Sequence, residues 1–503
     1  MNRQIARLAT ASMILIVVLI VATTYWQTWA SAGLADRQDN SIQRVAQFKI
    51  KRGAIYASDG RTVLATNVKR KVGGQTLYFR TYPTNGFASQ VVGYSTQGRS
   101  RTGIEREENA YLTASNANLN TVVSKAFDNL KGATIKGNNL VLTLNVKAQR
   151  VAESQLRGKC GSAVVWNPRT GAVLAMASSP SFDPNLIERQ AGYAKIQATT
   201  APCKPASPLL NRATQGLYPP GSTFKVVTAA AALDTGTYKP DSKFYDPGYC
   251  EEYGKKVYNA GNPDQNGTEQ FGSVDFTTAF EHSINAVFCD IGKKLGAATL
   301  IDYAKRFGFY STPPLETPGD ARSASGLYVN HRPFDPKDPN SKVDPGRFAF
   351  GQERLLVTPL QMAMVAGAVA NGGVLMKPHL LARVESPGGS IVSKVHPQKL
   401  GRAIKPETAA ALTTMMEAVV TGGTGTAAAI PGVKVAGKTG TAETGVAHVY
   451  TAWFVFFAPA DDPQVAGAVV VEGQRNGFGG KISAPIAKAI MQAILPAGSN
   501  SQG

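Results

Sequence analysis

The distribution of apolar residues separates a hydrophobic N-terminus from a longer mixed remainder. Residues 8–35 contain no charged side chain, and residues 13–22 are apolar throughout. A helix needs about 20 residues to cross the hydrocarbon core of a bilayer. Residues 8–29 therefore predict one transmembrane helix, and no second apolar run of that length follows in the sequence.

The residues that flank this stretch predict its orientation. Arg3 and Arg7 precede it, and positive charge is typical of the cytoplasmic end of a membrane helix. Aromatic side chains suit the opposite interface, and they are Tyr25, Trp26 and Trp29. Ala30-Ser31-Ala32 is typical of a signal-peptide cleavage site, which is the alternative. The long uncharged stretch and its aromatic end favour a retained anchor in residues 1–35, and both alternatives place residues 36–503 outside the cytoplasm.

Short apolar stretches separated by turn residues follow in residues 36–155. Asp59-Gly60 lies between two short, largely apolar stretches, residues 54–56 and 62–64, a pattern typical of a β-hairpin. Residues 140–146 predict another strand, and residues 147–156 have a helical pattern. These patterns predict a small β-rich domain without an active site of its own.

Strand patterns also begin and end the longer segment, residues 156–495. Residues 163–166 and 172–176 are apolar and joined by a turn, which predicts a hairpin of two buried strands. Residues 453–457 and 465–471 predict two further strands. Strands from both ends of one segment are expected to share a sheet.

Helical patterns fill the middle of the same segment, and residues 483–495 predict a closing helix. Helices inserted between strands predict an α/β (α+β) layered domain. The last residues, 496–503, are predicted to form a flexible tail.

Charge adds to this picture, whereas the overall composition is that of an ordinary globular protein, 43% hydrophobic and 17% charged. The net charge is +19, and residues 41–150 hold 17 Lys or Arg against five Asp or Glu. No helix-turn-helix, zinc-finger or RNP pattern accompanies this charge, so nucleic acid is not a predicted partner. A basic segment next to a membrane anchor predicts contact with the membrane surface or with a membrane partner.

The cysteines predict disulfides rather than a metal site. They are Cys160, Cys203, Cys250 and Cys289. An even number in an exported protein permits two disulfides in three possible pairings, and the sequence does not choose among them. Cys250 with Cys289 is the pairing we favour, because both flank Ser283. The spacings match no zinc pattern and the five histidines form no His-Glu-x-x-His, so no metal and no cofactor are predicted.

Ser222 and Lys225 are the first candidates for catalysis. A spacing of three puts both side chains on one face of a helix. Pro219-Pro220-Gly221 predicts a turn into that helix, so Ser222 is expected near its N-terminus, where the dipole favours developing negative charge. A serine needs a base to become a nucleophile. Lys225 can be that base if burial or a second cation, for which Lys438 is the candidate, lowers its pKa.

Ser283 and Asn285 form the second candidate pair, in a stretch that predicts one helix over residues 276–295. The Ser283 hydroxyl can relay a proton to a leaving amine. The amide of Asn285 can both donate to and accept from a substrate amide.

The third candidate motif is Lys438-Thr439-Gly440-Thr441, after an alternating stretch, residues 433–436, that predicts a strand ending in the site. Lys438, Thr439 and Thr441 can bind a carboxylate, and Gly440 allows a substrate backbone to approach closely. The backbone N–H groups of Ser222 and Thr441 can form an oxyanion hole.

The same stretch permits a different hypothesis, because residues 432–439 satisfy the pattern Gly-x4-Gly-Lys-Thr of a nucleotide-binding P-loop. A P-loop needs a strand before the pattern and a helix directly after it. Here the glycine-to-glycine stretch itself alternates like a strand, and residues 440–445 are turn-like. The sequence therefore argues against nucleotide hydrolysis.

In the order Ser-x-x-Lys, Ser-x-Asn, Lys-Thr-Gly, the three motifs are the set of penicillin-recognising serine enzymes. Further stretches carry the likeness over nearly the whole chain: Arg52-Gly53-Ala54-Ile55, Asp59-Gly60, Gly103-Ile104-Glu105, Asn167-Pro168-Arg169-Thr170-Gly171, Gly351-Gln352 and Thr358-Pro359-Leu360-Gln361. The chain thus resembles class B penicillin-binding proteins, and most the short penicillin-binding protein A type of actinobacteria. The resemblance implies an antiparallel sheet flanked by helices with an all-helical subdomain in residues 156–495, on a non-catalytic pedestal in residues 36–155.

The resemblance also implies a function, that of a peptidoglycan D,D-transpeptidase. Ser222 would be the acylated nucleophile, Lys225 the base, Ser283 and Asn285 the second motif, and the residues from Lys438 to Thr441 the third. The implied partners are stem peptides of lipid-linked precursor or nascent strands, β-lactams, the cytoplasmic membrane and a membrane glycosyltransferase. Ile284 stands where many members have Asp, at a variable position, and a pedestal of this length leaves no room for a glycosyltransferase domain.

Four alternatives stay open at this point. On the same fold, the chain can be a D,D-carboxypeptidase, a β-lactamase or a sensor, which differ in what resolves the acyl-enzyme. From another class, it can be a non-catalytic scaffold of a wall-synthesis complex. We identify no water-activating base of the kind that a β-lactamase needs.

Overall fold

The computed structural model describes residues 2–25, 48–115, 134–252, 254–259 and 269–496. The helices in this part of the chain are α1 (Asn2–Tyr25), α2 (Ser89–Val92), α3 (Gly103–Glu107), α4 (Asn109–Leu112), α5 (Val146–Leu156), α6 (Gln190–Gln197), α7 (Lys225–Asp234), α8 (Phe276–Glu281), α9 (Asn285–Arg306), α10 (Pro339–Lys342), α11 (Pro345–Ala349), α12 (Pro359–Ala370), α13 (Pro406–Thr421) and α14 (Gly479–Ile494). The strands are β1 (Ile55–Tyr56), β2 (Val63–Val72), β3 (Gln75–Thr81), β4 (Asn139–Leu142), β5 (Cys160–Trp166), β6 (Val173–Ser179), β7 (Lys243–Asp246), β8 (Tyr249–Glu252), β9 (Lys255–Tyr258), β10 (Gly272–Asp275), β11 (Gly326–Val329), β12 (Arg332–Pro333), β13 (Leu355–Leu356), β14 (Val374–Met376), β15 (Leu381–Glu385), β16 (Ile391–Lys394), β17 (Lys399–Arg402), β18 (Ala436–Glu443), β19 (Val449–Ala458) and β20 (Val465–Arg475).

Helix α1 is exposed along its length, and by length and composition it is able to cross a membrane. It begins earlier than the predicted span because Arg3 and Arg7 are also helical. Trp26, Trp29 and the small residues of the alternative cleavage site lie outside the described residues, as does the tail from residue 497.

A five-stranded antiparallel sheet, in the order β18-β19-β20-β5-β6, forms the centre of the C-terminal segment. Period-2 alternation buries both of its faces. Along β19, Trp453, Val455 and Phe457 pack with the cluster that contains α12, whereas Phe454 and Phe456 pack with α5 and α14. The predicted hairpin, the two later strands and the closing helix are all present, which confirms a layered α/β fold.

The helical part of this segment covers the sheet on the α12 side. Helix α9 packs on α7 and on α11, and α13 contacts α7, α8 and β18. This arrangement brings the N-terminus of α7, the turn between α8 and α9, and strand β18 together. Each of these three elements carries one of the motifs.

A second sheet, in the order β16-β15-β4-β1-β2-β3, contains the N-terminal strands. The predicted hairpin at Asp59-Gly60 joins β1 to β2. Strands β15 and β16 come from the C-terminal segment, and β15 pairs with β4. Helix α5, which the predicted division assigns to the pedestal, packs on α14 and β6 instead. The boundary at residue 155 stays a prediction, and this packing favours a place before Val146.

A buried ion cluster ties the N-terminal strands to α3. Glu105 is fully buried and accepts hydrogen bonds from Arg80 Nε and, at 2.8 Å, from Arg52 Nη2. Burial alone would raise the pKa of Glu105, but the two guanidinium groups lower it below its ordinary value. The residues that carried part of the family resemblance therefore have a structural role here.

Replacing Glu105 with Ala is expected to destabilise the protein by about 3–5 kcal/mol, because two buried arginines lose their carboxylate. Thermal unfolding measures this loss. The matched control is Asp462→Ala, which removes an exposed carboxylate beside Arg169 and should change stability by less than about 1 kcal/mol. Folding lowers the pKa of Glu105, so its stabilising contribution depends on pH. The contribution is fully present above the pKa that Glu105 has in the unfolded chain, and it is lost as the pH falls through the pKa in the folded protein. Equal unfolding temperatures for both variants would contradict the prediction.

Candidate active site

Ser222 lies in the turn that begins helix α7. Gly221 has φ +52°, residues 221–224 form one 3-10 turn, and the α-helix continues from Lys225. Gly351 packs directly on this turn, because a Cβ there would lie 2.2 Å from the Gly221 carbonyl oxygen. Ser222 is half-buried and Lys225 fully buried, so the serine faces the surface while the lysine lies beneath it.

Gly440 brings strand β18 against the Ser222 turn. A Cβ at this position would lie 2.9 Å from the Pro220 carbonyl oxygen and 2.8 Å from Thr223 Cγ2. The glycine therefore gives room to the protein's own backbone, which is a different reason from the substrate approach that the sequence predicts. Close by, the carbonyl oxygen of Thr441 lies within 3 Å of where a Gly221 Cβ would be, so the backbones on either side of the predicted oxyanion hole are adjacent.

Replacing Gly440 with Ala is expected to slow acylation by a penicillin about 10- to 100-fold, because the strand must move away from the Ser222 turn. The matched control is Gly401→Ala, since a Cβ there meets nothing within 4 Å. Stopped-flow acylation with a fluorescent penicillin measures both rates. If the Gly440→Ala rate equalled the Gly401→Ala rate, the close approach would have no part in positioning.

Lys225 is held by the second motif. Its Nζ donates to the Ser283 carbonyl oxygen at 2.6 Å, to Ser283 Oγ at 3.2 Å and to Asn285 Oδ1 at 2.8 Å. Burial, and then the nearby ammonium of Lys438, hold the pKa of Lys225 well below its ordinary value. A neutral amine has two N–H groups and one lone pair, so in that state Lys225 donates to only two of these three oxygens, and its lone pair can accept a proton, which is what a general base for Ser222 requires.

Ser283 does not lie in a helix, and the predicted single helix over residues 276–295 is wrong. Helix α8 ends at Glu281, Ser283 has φ +60°, and α9 begins at Asn285. The Ile284 N–H donates to the Ala279 carbonyl and the Ser283 N–H to the Phe280 carbonyl, which is the Schellman pattern that ends helices. Glycine normally takes the left-handed position of that pattern, so a serine there gives no sequence signal.

This turn aims Ser283 and Asn285 at the lysine. The left-handed serine turns both its carbonyl and its hydroxyl oxygen toward Lys225, and Asn285 is the first residue of α9. Asn285 Nδ2 donates to the Tyr258 carbonyl oxygen at 3.1 Å, which leaves Oδ1 for Lys225. A backbone strain of this kind is typical of functional positions.

Strand β18 carries the third motif within its length rather than at its end. It begins at Ala436, later than predicted, and continues to Glu443. Lys438 is fully buried, and burial lowers its pKa to about 7. Thr439 Oγ1 and Thr424 Oγ1 share a hydrogen bond of 2.6 Å, and Thr441 Oγ1 accepts from the Gly479 N–H at 3.3 Å. Since β18 leads into a hairpin with β19 and not into a helix, the P-loop hypothesis is wrong.

Three residues near the lysines were not predicted from the sequence. Thr424 contacts Thr439, Phe280 lies 5.6 Å from Lys438 Nζ, and Phe288 lies 5.0 Å from Lys225 Nζ. Phe280 lies on α8 and Phe288 on α9, on either side of the Ser283 turn, but their apolar character is also that of ordinary core residues. No sequence signal distinguishes Thr424 from other loop threonines.

Two disulfides join the described cysteines, Cys160 with Cys203 and Cys250 with Cys289. The favoured Cys250–Cys289 pairing is confirmed. It links strand β8 to α9 one turn after Asn285.

Two family models match the chain. The penicillin-binding protein transpeptidase domain matches residues 161–492, and the penicillin-binding protein A dimerisation domain matches residues 52–140. The first covers the five-stranded sheet and the three motifs. The second covers most of the six-stranded sheet.

Named relatives and solved structures agree with these models. The peptidoglycan D,D-transpeptidase PbpA of Mycolicibacterium smegmatis is 36% identical, over 99% of this chain and 100% of the relative. The ceftriaxone acyl-enzyme of penicillin-binding protein A from Mycobacterium tuberculosis superposes with a TM-score of 0.78 at 31% identity, over 90% of this chain and 100% of that one. A D,D-transpeptidase domain from Eggerthella lenta has a TM-score of 0.72 at 33% identity, over 88% of this chain and 98% of that one. The chain therefore belongs to the class B penicillin-binding proteins.

Proposed function

We propose that this protein is a peptidoglycan D,D-transpeptidase that works through an acyl-enzyme on Ser222. The observation that carries the proposal is the buried Lys225, whose pKa is lowered and whose Nζ bonds to Ser283 and Asn285. Relatives over the whole length of the chain bear the name of this activity, and solved relatives are acyl-enzymes of β-lactams.

In acylation, Ser222 Oγ gives its proton to the neutral Lys225 amine and attacks the carbonyl carbon of the penultimate D-alanine. The backbone N–H groups of Ser222 and Thr441 bind the developing oxyanion, and one such donor contributes about 3–4 kcal/mol to the transition state. The proton passes from Lys225 through Ser283 Oγ, within 3.2 Å, to the leaving nitrogen. The amide C–N bond breaks, D-alanine leaves, and an ester to Ser222 remains.

Lys438, Thr439 and Thr441 bind the carboxylate of the departing D-alanine or of a β-lactam. A carboxylate beside Lys438 would keep that lysine protonated, although burial alone lowers its pKa to about 7. In the second half-reaction an amine of a neighbouring stem peptide attacks the ester. Its proton returns by the same route, and Ser222 is released.

We also propose the placement of the chain in the cell. Helix α1 anchors it in the membrane with a cytoplasmic N-terminus, and the segment between that helix and Val146 forms the non-catalytic pedestal. Exposed basic residues at the tip of the β2–β3 hairpin support contact with the membrane or with a glycosyltransferase partner; they are Lys69, Arg70 and Lys71.

Intact mass of the extracytoplasmic part after incubation with penicillin, followed by peptide mapping, tests the function. We expect one lasting adduct on Ser222 and none on Ser222→Ala. Penicillin that is consumed without a lasting adduct would point to a β-lactamase, and an unmodified protein with intact penicillin would point to a scaffold. Release of D-alanine without cross-linked product, in the presence of an acceptor amine, would point to a carboxypeptidase.

A further inference from the structure

We propose that Asn259 and Asp246 are positioning residues of the active site, which together fix the start of helix α9 and thereby the places of Asn285 and Lys225. Neither residue belongs to the three motifs. The inference rests on the roles proposed above for Lys225 and Asn285, and it assigns a source to their geometry.

Asn259 bridges three segments of the chain with a side chain that is only 6% exposed. Its Oδ1 accepts a hydrogen bond from the backbone N–H of Ala286 at 3.0 Å. Its Nδ2 donates to the carbonyl oxygen of Glu269 at 3.0 Å and to the two carboxylate oxygens of Asp246 at 2.8 and 3.0 Å. Both donor hydrogens of this amide and one of the two acceptor sites of its oxygen are therefore used inside the protein.

The bond to Ala286 supplies what helix α9 lacks. The first N–H groups of a helix have no partner within the helix, and a polar residue at the N-cap normally accepts from one of them. The N-cap of α9 is Ile284, which has no side-chain acceptor. Asn259 provides that acceptor from a distant segment, at the residue directly after Asn285. The position of Asn259 therefore sets where the helix, and Asn285 with it, begins.

Asp246 fixes which way the amide of Asn259 points. Asp246 is 1% exposed, and it accepts from the backbone N–H groups of Gly248 at 2.9 Å and Phe271 at 3.0 Å. A carboxylate only accepts hydrogen bonds, so the Asn259 amide must present its Nδ2 to it. The opposite orientation would place an amide oxygen against a buried negative charge. The carboxylate of Asp246 thus keeps Oδ1 of Asn259 directed at Ala286.

The same segment also orients the Asn285 side chain. The carbonyl oxygen of Tyr258, the residue before Asn259, accepts from Asn285 Nδ2 at 3.1 Å. Asn285 Oδ1 is then left to accept from Lys225 Nζ at 2.8 Å. Residues 258–259 therefore hold both the backbone after Asn285 and its side chain, and the contact ends at the catalytic lysine.

An exchange of the two side chains tests the proposal. Asn259→Asp keeps the acceptor for Ala286 but sets two carboxylates against each other, and we expect acylation by penicillin to slow about 100-fold. Asp246→Asn removes the charge that orients the amide, and we expect about a 10-fold loss. The double exchange, Asp246→Asn with Asn259→Asp, restores one donor facing one carboxylate and keeps the acceptor for Ala286, while it gives up the donor to Glu269 and one of the two acceptors for Gly248 and Phe271. We expect its rate within about 10-fold of wild type.

Stopped-flow acylation with a fluorescent penicillin separates this effect from simple unfolding. An unfolded fraction of the protein lowers the amplitude of the fluorescence change, whereas misplacement of Lys225 lowers the rate constant of acylation. The matched control is Asp234→Asn, another buried aspartate in a polar network; its partners are Tyr303, Lys405 and Thr408. That variant should lose stability and amplitude but keep the wild-type rate constant.

The proposal would be overturned if the rate losses of the two single variants multiplied in the double variant. It would also be overturned if Asn259→Asp were acylated at the wild-type rate. A rate constant in Asp234→Asn as low as in Asn259→Asp would also overturn it, because the loss of any buried polar network would then be enough to slow acylation. Should Asn259→Asp yield no folded protein, Asn259→Ala removes the acceptor for Ala286 without adding charge, and a loss of about 100-fold is expected for that variant as well. Wild-type protein that forms no adduct would instead contradict the proposed function.

Discussion

Lys225→Met is expected to lower the rate constant of acylation by about 10³- to 10⁴-fold while leaving the protein folded. The side chain is fully buried, and methionine fills a similar volume without a proton acceptor. A positioned base contributes about 10²- to 10⁴-fold to a rate. The loss is expected at the upper end because Lys225 is the amine that lies beneath Ser222, whereas Lys438, the other amine of the three motifs, is assigned to the substrate carboxylate. Acylation with a fluorescent penicillin gives the rate, and Lys294→Met, an exposed lysine on α9, is the control.

The rate of acylation and the stability of the native protein are both expected to depend on pH through Lys225. The wild-type rate should rise with pH as the Lys225 ammonium, whose pKa is lowered by burial and by Lys438, loses its proton. The Lys225→Met rate should lack this rise. Between the folded pKa and the unfolded value near 10.4, the unfolded chain binds more protons, so native stability also rises with pH. Lys225→Met should flatten that slope; an unchanged slope would contradict a buried neutral lysine.

Lys438→Met is expected to weaken the initial binding of penicillin about 10- to 100-fold and to move the rate profile of acylation toward higher pH. A hydrogen bond to a charged group contributes about 1.5–3 kcal/mol, which corresponds to the loss in binding. Removal of the Lys438 ammonium raises the pKa of Lys225, because that nearby positive charge is, after burial, the second cause that lowers it. Separating the dissociation constant from the acylation rate constant, from pH 6 to 10, measures both effects.

The wild-type binding step should itself depend on pH, since burial lowers the pKa of Lys438 to about 7. Above that pH the free enzyme loses the charge that attracts a carboxylate, so the dissociation constant rises. Below that pH the buried Lys438 side chain is charged, which lowers the stability of the folded protein. Lys438→Met should therefore raise the unfolding temperature most at low pH. Binding that is independent of pH in the wild type would contradict the value for Lys438.

The strands of the central sheet were predictable because successive side chains point to opposite faces and both faces are buried, so the predicted stretches are largely apolar. The closing helix was predictable from its own helical pattern. Residues 163–166 and 453–457 are apolar in the sequence and are the interior of β5 and β19 in the structure. The Asp59-Gly60 turn was predictable for a similar reason, because its residues favour one backbone conformation. In each case the local pattern and the tertiary environment agree.

The errors lie where the tertiary structure overrides a local preference. Residues 276–295 contain good helix formers, but Ser283 takes a left-handed conformation that its own side chain does not favour, and Lys225 binds the carbonyl oxygen that this conformation exposes. The role of Gly440 in substrate approach stays a prediction, and its contact with the Pro220 carbonyl was not predictable because that carbonyl belongs to a distant segment. Asn259 gave no signal, since an asparagine that caps a helix from elsewhere looks like any loop asparagine.

The pairing of β4 with β15 has a consequence for the order in which the chain is completed. A ribosome delivers the N-terminus first, so β4 emerges long before β15 and has one edge without its native neighbour until residues 381–385 are available. Unpaired strand edges are sites of aggregation, and pairings distant in sequence form slowly. Residues 48–142 are therefore expected not to form an autonomous folding unit, and a gene fragment that ends before residue 381 should yield insoluble product. Appending a peptide with the sequence of residues 381–394 through a linker should restore solubility.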